Sequence, residues 1–276
     1  MKQLVCRQVA GLCFFWLLVS GAVFGAERGN ETISVAVASN FLLPMRVLVD
    51  EFEQQTDIEA TLSSGSSGKL YAQIKNGAPY QLFFSADQLK PQALEADGLV
   101  VEANRYTYAL GKLALVKSPH LELRQDPQML LLDSKFKRIA IANPSVAPYG
   151  QAALEVLEAM NISLDQSGQL VRGENISQAY QFVSSGNTEL GFVALSQVLS
   201  GLDSEVDLKH AADNYWLVPE DFYSPIRQDM VLLEKAKTSP AAKSFYEWIK
   251  SDDARDIIRS YGYELAEHER PQVSPQ

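Results

Sequence analysis

The chain has 276 residues, 46% of them hydrophobic, and a formal net charge of −10, so it is a poor candidate for binding nucleic acid through phosphate contacts. Both cysteines, Cys6 and Cys13, lie near the N-terminus, which leaves the rest of the chain to fold without disulfides.

The N-terminal stretch reads as a secretory signal peptide. Lys2 and Arg7 lead into an apolar run over residues 9–23 that ends in small residues and is short for a membrane-spanning helix of about 20 residues. Cleavage is expected after Gly25, making residues 1–25 the leader, and no cysteine follows as a lipid attachment point. Loss of Lys2 and Arg7 takes the charge from −10 to −12. About 250 residues then remain, which exceeds the usual single core and points to two lobes.

Residues 33–38, I-S-V-A-V-A, predict a buried strand. Ser39-Asn40 follow at once, and Leu42, Met45, Leu48, Val49 and Phe52 then fall at helical spacing. A short strand is expected over 58–62, and after it comes S-S-G-S-S-G-K-L-Y-A-Q-I, residues 63–74, a Ser/Gly-rich entry into a helix that Gly77-Ala78-Pro79 ends. Residues 81–85 make a third strand, and this alternation of strand and helix predicts a parallel sheet. The long β-like run over 105–116 is suited to carry the chain from one lobe to the other. Residues 139–142 are the next buried strand, and Pro148 presets the entry to a helix over 151–160. A strand-like step at Val171 precedes Glu174-Asn175-Ile176-Ser177 and a helix over 178–184. Residues 190–195 form another apolar strand, 215–225 a return loop, 227–233 a strand and 240–260 a helix pair. The tail after Leu265 is polar and expected to fray.

One arrangement recurs four times: a strand, a loop of small polar residues, then a helix start, at Ser39-Asn40, Ser66-Ser67-Gly68, Tyr149-Gly150 and Asn175-Ile176. Each alone is more simply explained by ordinary capping. Together, at the carboxyl ends of strands in an open α/β sheet, they suit an anion. A doubly charged tetrahedral oxyanion with no proton to give calls for donors only. Ser39 and Ser67 offer hydroxyls, while Asn40, Tyr149 and Ile176 would act chiefly through backbone N–H. Phosphate keeps a proton near neutral pH and would want a carboxylate acceptor; Glu174 adjoins one motif and leaves that point open.

Rival chemistries are weaker. A serine hydrolase would need G-x-S-x-G, which Gly65-Ser66-Ser67-Gly68 does not supply, and His120, His210 and His268 lie in or near polar segments. A P-loop fails because Leu70 follows Gly68-Lys69, which leaves Lys69 as a surface residue. Tyr106 and Tyr108 alternate along a strand and need no ferric ion to explain them, and no His/Cys/Asp/Glu cluster has the spacing of a metal site. Sulfate is the close alternative within the oxyanion class.

At these motifs the sequence resembles the periplasmic molybdate-binding proteins, the solute receptors of molybdate ABC importers. The matching stretches are A-S-N-F-L, S-S-G-S-S-G-K-L-Y-A-Q-I, F-F-S-A-D, the run I-A-x-x-N-P-x-x-A-P-Y-G ending at Gly150, and G-F-V-A-L-S-Q, in order from Ile33 to about Leu265. The resemblance implies an α/β fold, a two-lobed periplasmic binding protein of the second type with each lobe a sheet flanked by helices. The expected division is residues 27–107 with 226–276 as one lobe and 108–225 as the other. Molybdate or tungstate would be held in the interlobe cleft by Ser39, Asn40, Ser67, Tyr149 and Ile176. The protein would then be a monomeric periplasmic carrier that has no cofactor and no catalytic activity and delivers its ligand to permease subunits. Some members place a tyrosine ligand where this chain has Ala194, and Asn40 would supply the missing donor.

Overall fold

The computed structural model describes residues 31–121, 125–134, 136–164, 168–200 and 214–266; the signal-peptide segment and the end of the C-terminal tail lie outside them. The chain opens with β1 (Glu31–Ala38), a 3-10 turn at Ser39–Phe41 and α1 (Leu42–Gln55). Then come β2 (Ile58–Gly65), α2 (Ser67–Lys75), β3 (Leu82–Phe84), α3 (Leu89–Ala96) and β4 (Val100–Gly111). The second half begins with β5 (Leu113–Lys117), α4 (Pro127–Leu132), β6 (Ile139–Ala142), α5 (Pro148–Ala159) and β7 (Leu170–Gly173). It continues with α6 (Ile176–Ser184), β8 (Leu190–Ala194), α7 (Leu195–Leu199) and β9 (Tyr215–Leu217). The chain then returns as β10 (Ile226–Leu233), followed by helices Pro240–Trp248 and Asp252–Ser260.

These strands form two five-stranded sheets of matching design, β2-β1-β3-β10-β4 and β7-β6-β8-β5-β9. In each, three strands run parallel with the first of them in the middle, and the remaining pairings are antiparallel. The expectation of a parallel sheet is therefore half met. The antiparallel part arises because the chain passes between sheets twice, once at Lys112 and once between β9 and β10, and each crossing strand enters its sheet from the far end. The stretch expected to carry the chain across is two strands in different sheets, broken at Lys112, and the segment expected as a return loop begins with β9, paired to β5.

The apolar alternation of β1 puts Ile33, Val35 and Val37 into a core with Met45, Leu48 and Phe52 of α1. Phe41 closes this core beside the Ser39–Phe41 turn. Its ring lies edge-on to Tyr108 at 4.6 Å and to Tyr263 at 5.3 Å, a geometry that adds attraction beyond simple burial. The second core, around Ile139, Ile141, Val156 and Phe192, reaches Ala38 and Ala86 of the first lobe, so the lobes share buried surface.

Candidate functional site

Four helix starts converge on one small cavity between the lobes, lined by Ala38, Ser39, Asn40, Gly65, Ser66, Ser67, Ala86, Ala147, Pro148, Tyr149 and Ile176. All five residues singled out from the sequence are among them. Its free space, about 10 Å³, is that of a single water-sized sphere, far below the roughly 300 Å³ at which pockets for larger organic ligands begin.

Each helix start offers its first backbone N–H groups, which have no carbonyl partner within their own helix. In α5 the first position is Pro148, which has no N–H, so Tyr149 is the first donor. Gly150 beside it cannot be replaced without strain, because a Cβ there would sit 2.2 Å from the carbonyl oxygen of Ala142. In α6 the side chain of Asn175 caps the helix by accepting from Gln178 N–H at 3.0 Å, which leaves Ile176 at the first position. Its side chain packs in the core, and the residue also lines the cavity.

The first lobe adds hydroxyls. Ser67 Oγ accepts from Ala86 N–H at 2.8 Å, which fixes its orientation and leaves its own hydrogen to donate. Ser39 borders the cavity beside it, and its carbonyl accepts from Ser177 Oγ of the second lobe at 3.2 Å. No carboxylate lines the cavity. The Glu174 carboxylate turns to Lys69 at 2.5 Å, joining the lobes at the surface, so it provides no acceptor for a protonated ligand; Lys69 is thereby an interlobe partner and more than a plain surface residue.

The lobes also meet directly: Gly68 N–H donates to the Val146 carbonyl at 2.9 Å. A Cβ on Gly68 would lie 2.9 Å from that of Val146, so only glycine allows this approach.

Below the cavity lies a buried polar network that sequence reasoning missed. Gln228, fully buried, accepts from Asn40 Nδ2 at 2.8 Å and from the Tyr108 hydroxyl at 3.0 Å, and donates to the Tyr149 hydroxyl at 3.2 Å. Tyr263 accepts from Asn40 Nδ2 at 3.0 Å, and Ser196 Oγ donates to the Asn40 carbonyl at 3.0 Å. This corrects one expectation. Both amide hydrogens of Asn40 are committed to Gln228 and Tyr263, so its side chain cannot replace the phenol absent at Ala194, and its available donor is the backbone N–H. The Tyr149 ring likewise fastens the lobes together. Burial pushes the phenols of Tyr108 and Tyr149 well above their ordinary value and that of Tyr263 up to about 12, so all three are neutral donors at physiological pH. The one sequence signal for Gln228 is the polar run Arg227-Gln228-Asp229 that opens β10 before its apolar half.

A wider cleft of about 410 Å³ opens beside the cavity, bordered by Asp87, Lys90, Gln151, Glu155 and Arg227. It carries carboxylates, and Lys90 is paired with Asp87 at 2.6 Å, so it is a poorer match to a bare dianion. Among the described residues no group of three or more His, Cys, Asp or Glu is placed to hold a metal ion. His120 packs near Gly186 and not at the cavity, and His210 and His268 lie outside the described residues; among the described residues no histidine stands beside Ser67 to act as a general base.

Comparison with known proteins places these features in context. Residues 33–264 match the family model described as bacterial extracellular solute-binding protein. The chain is 43% identical over 250 residues to the molybdate-binding protein ModA of Azotobacter vinelandii, covering 90% of this chain and 95% of that one. It is 38% identical over 246 residues to ModA of Rhodobacter capsulatus, covering 89% and 92%. Among solved structures it is similar to the periplasmic molybdate-binding protein of Azotobacter vinelandii, with a TM-score of 0.75 and 37% identity over 85% of this chain and 99% of that one.

Proposed function

The chain belongs to the bacterial extracellular solute-binding protein family, and from that premise we propose that it is the extracytoplasmic receptor that captures molybdate, and tungstate, for an ABC importer. The observation that carries the reading is the carboxylate-free cavity enclosed by helix starts of both lobes. None of the side chains lining it is charged, and the serine hydroxyls and helix-start N–H groups among them can donate, which matches a fully ionised tetrahedral oxyanion. The relatives named as molybdate-binding proteins support the choice of ion.

Ser39 and Ser67 hold the ion by their hydroxyls, and Asn40, Tyr149 and Ile176 by backbone N–H. Capture starts on one lobe, and closure brings the second lobe's helix starts onto the ion. Contacts across the cleft, such as Gly68 to Val146 and Lys69 to Glu174, form only when the lobes meet, so ligand binding and closure stabilise one another. The closed, loaded form is what the permease subunits recognise. In this reading the protein is exported by its N-terminal leader and works in the periplasm as a monomer, with no resident cofactor.

Isothermal titration with molybdate, tungstate, sulfate and phosphate tests the proposal. One-to-one binding of molybdate and tungstate, with sulfate and phosphate far weaker, is the expected result. Preference for sulfate would make the chain a receptor for a smaller oxyanion, and silence toward all four would remove the function.

A further inference from the structure

We infer that Ser66, the residue before α2, is a third hydroxyl donor to the bound oxyanion and a determinant of its affinity, an inference that rests on the receptor reading above. A serine at this position ordinarily caps its helix by accepting a backbone N–H from the first turn. Ser66 has the extended backbone of a cap, but its side chain makes no capping bond. The residue is 3% exposed, and its Oγ is buried without any hydrogen-bond partner. It also lines the anion cavity.

Burying a hydroxyl and leaving it unsatisfied costs free energy, so a side chain that declines the cap next to it needs a partner from elsewhere. Among the described residues two other buried side-chain atoms lack a partner, on Thr188 and Arg255, and neither residue borders this cavity. The neighbouring Ser67 shows the contrast. Its oxygen is already taken by Ala86 N–H, so it meets the ion with its hydrogen alone, whereas Ser66 is free to rotate its O–H onto an incoming oxyanion oxygen. The helix start thus gains a second side-chain donor beside its backbone groups, and the ion relieves an unsatisfied group as it binds.

The test is molybdate titration of the mature protein and its Ser66→Ala variant, with thermal melting of both in the absence of ligand. Ser66→Ala is expected to bind molybdate about tenfold or more weakly, the usual loss for a hydrogen bond to a charged group. Its ligand-free melting temperature should stay equal or rise, because the change removes a buried group with no partner. Ser66→Gly, acceptable at a helix cap, should reproduce the loss. Ser64→Ala, exposed on β2, should leave affinity unchanged. A lower ligand-free melting temperature with affinity within twofold of the parent would make Ser66 purely structural and overturn the inference while the receptor reading stood. If the parent itself binds no oxyanion, the receptor reading falls and this inference with it.

Discussion

The two lobes meet the cavity with different chemistry. The first brings serine side chains, on Ser39, Ser66 and Ser67, together with the Asn40 backbone, and the second brings backbone alone, at Tyr149 and Ile176, whose side chains are spent on packing or on the network around Gln228. Of the side-chain donors, Ser66 is free to turn toward an ion that arrives first on an open lobe, whereas backbone donors at a helix start are fixed in place and suit the closing half of a clamp. The difference also decides what mutation can reveal, because backbone N–H groups survive most substitutions.

The largest effect should therefore be one-sided. Ser39→Ala and Ser67→Ala are each expected to weaken molybdate binding by about 1.5–3 kcal/mol, roughly ten- to a hundredfold, while Ile176→Val leaves it nearly unchanged. Titration of the three variants decides the point; equal losses in all of them would erase the asymmetry between the lobes. Next comes closure. Gly68→Ala places a methyl against Val146 and should cost about 1–3 kcal/mol of affinity through overpacking. Small-angle scattering should show the molybdate-saturated variant less compact than the parent, and equal compactness would remove closure from the account.

The shared network gives a pH signature. The phenols of Tyr108, Tyr149 and Tyr263 are raised in the fold by burial, whereas unfolded tyrosine ionises near 10. The folded state therefore keeps protons that the unfolded state releases. Their contribution is intact below about pH 10 and is lost as pH rises toward 12, at up to about 1.4 kcal/mol per pH unit for each phenol. Urea midpoints measured from pH 7 to 11 should be flat and then fall, and Tyr149→Phe should soften the fall. The smallest effect belongs to Lys69 and Glu174. Their side chains are 50% and 62% exposed, so Lys69→Ala should weaken binding by at most about 1 kcal/mol, and less in high salt.

Much of this geometry could be read from local pattern. Strand ends at Ala38, Ala142 and Gly173 are followed at once by small or capping residues, so the positions of the helix starts followed from neighbours in sequence. Their convergence needed the topology, which two crossings between sheets decide and local periodicity does not. The helices Leu89–Ala96 and Pro127–Leu132 escaped notice because they are short and present only a few buried residues. The role of the Asn40 side chain was hidden for another reason: its partners Gln228 and Tyr263 lie 188 and 223 positions away. Ser66 and Ser67 look interchangeable in sequence, and only the Ala86 N–H that engages one of them tells them apart.

The central claim is that the ion sits in the small cavity between the helix starts and not in the wider cleft beside it. Crystals grown with tungstate, with the metal located by anomalous scattering, test this directly. The account predicts one peak within hydrogen-bonding reach, through its oxygens, of the hydroxyls of Ser39 and Ser67 and the N–H groups of Tyr149 and Ile176. A peak instead beside Lys90 and Arg227 would contradict it.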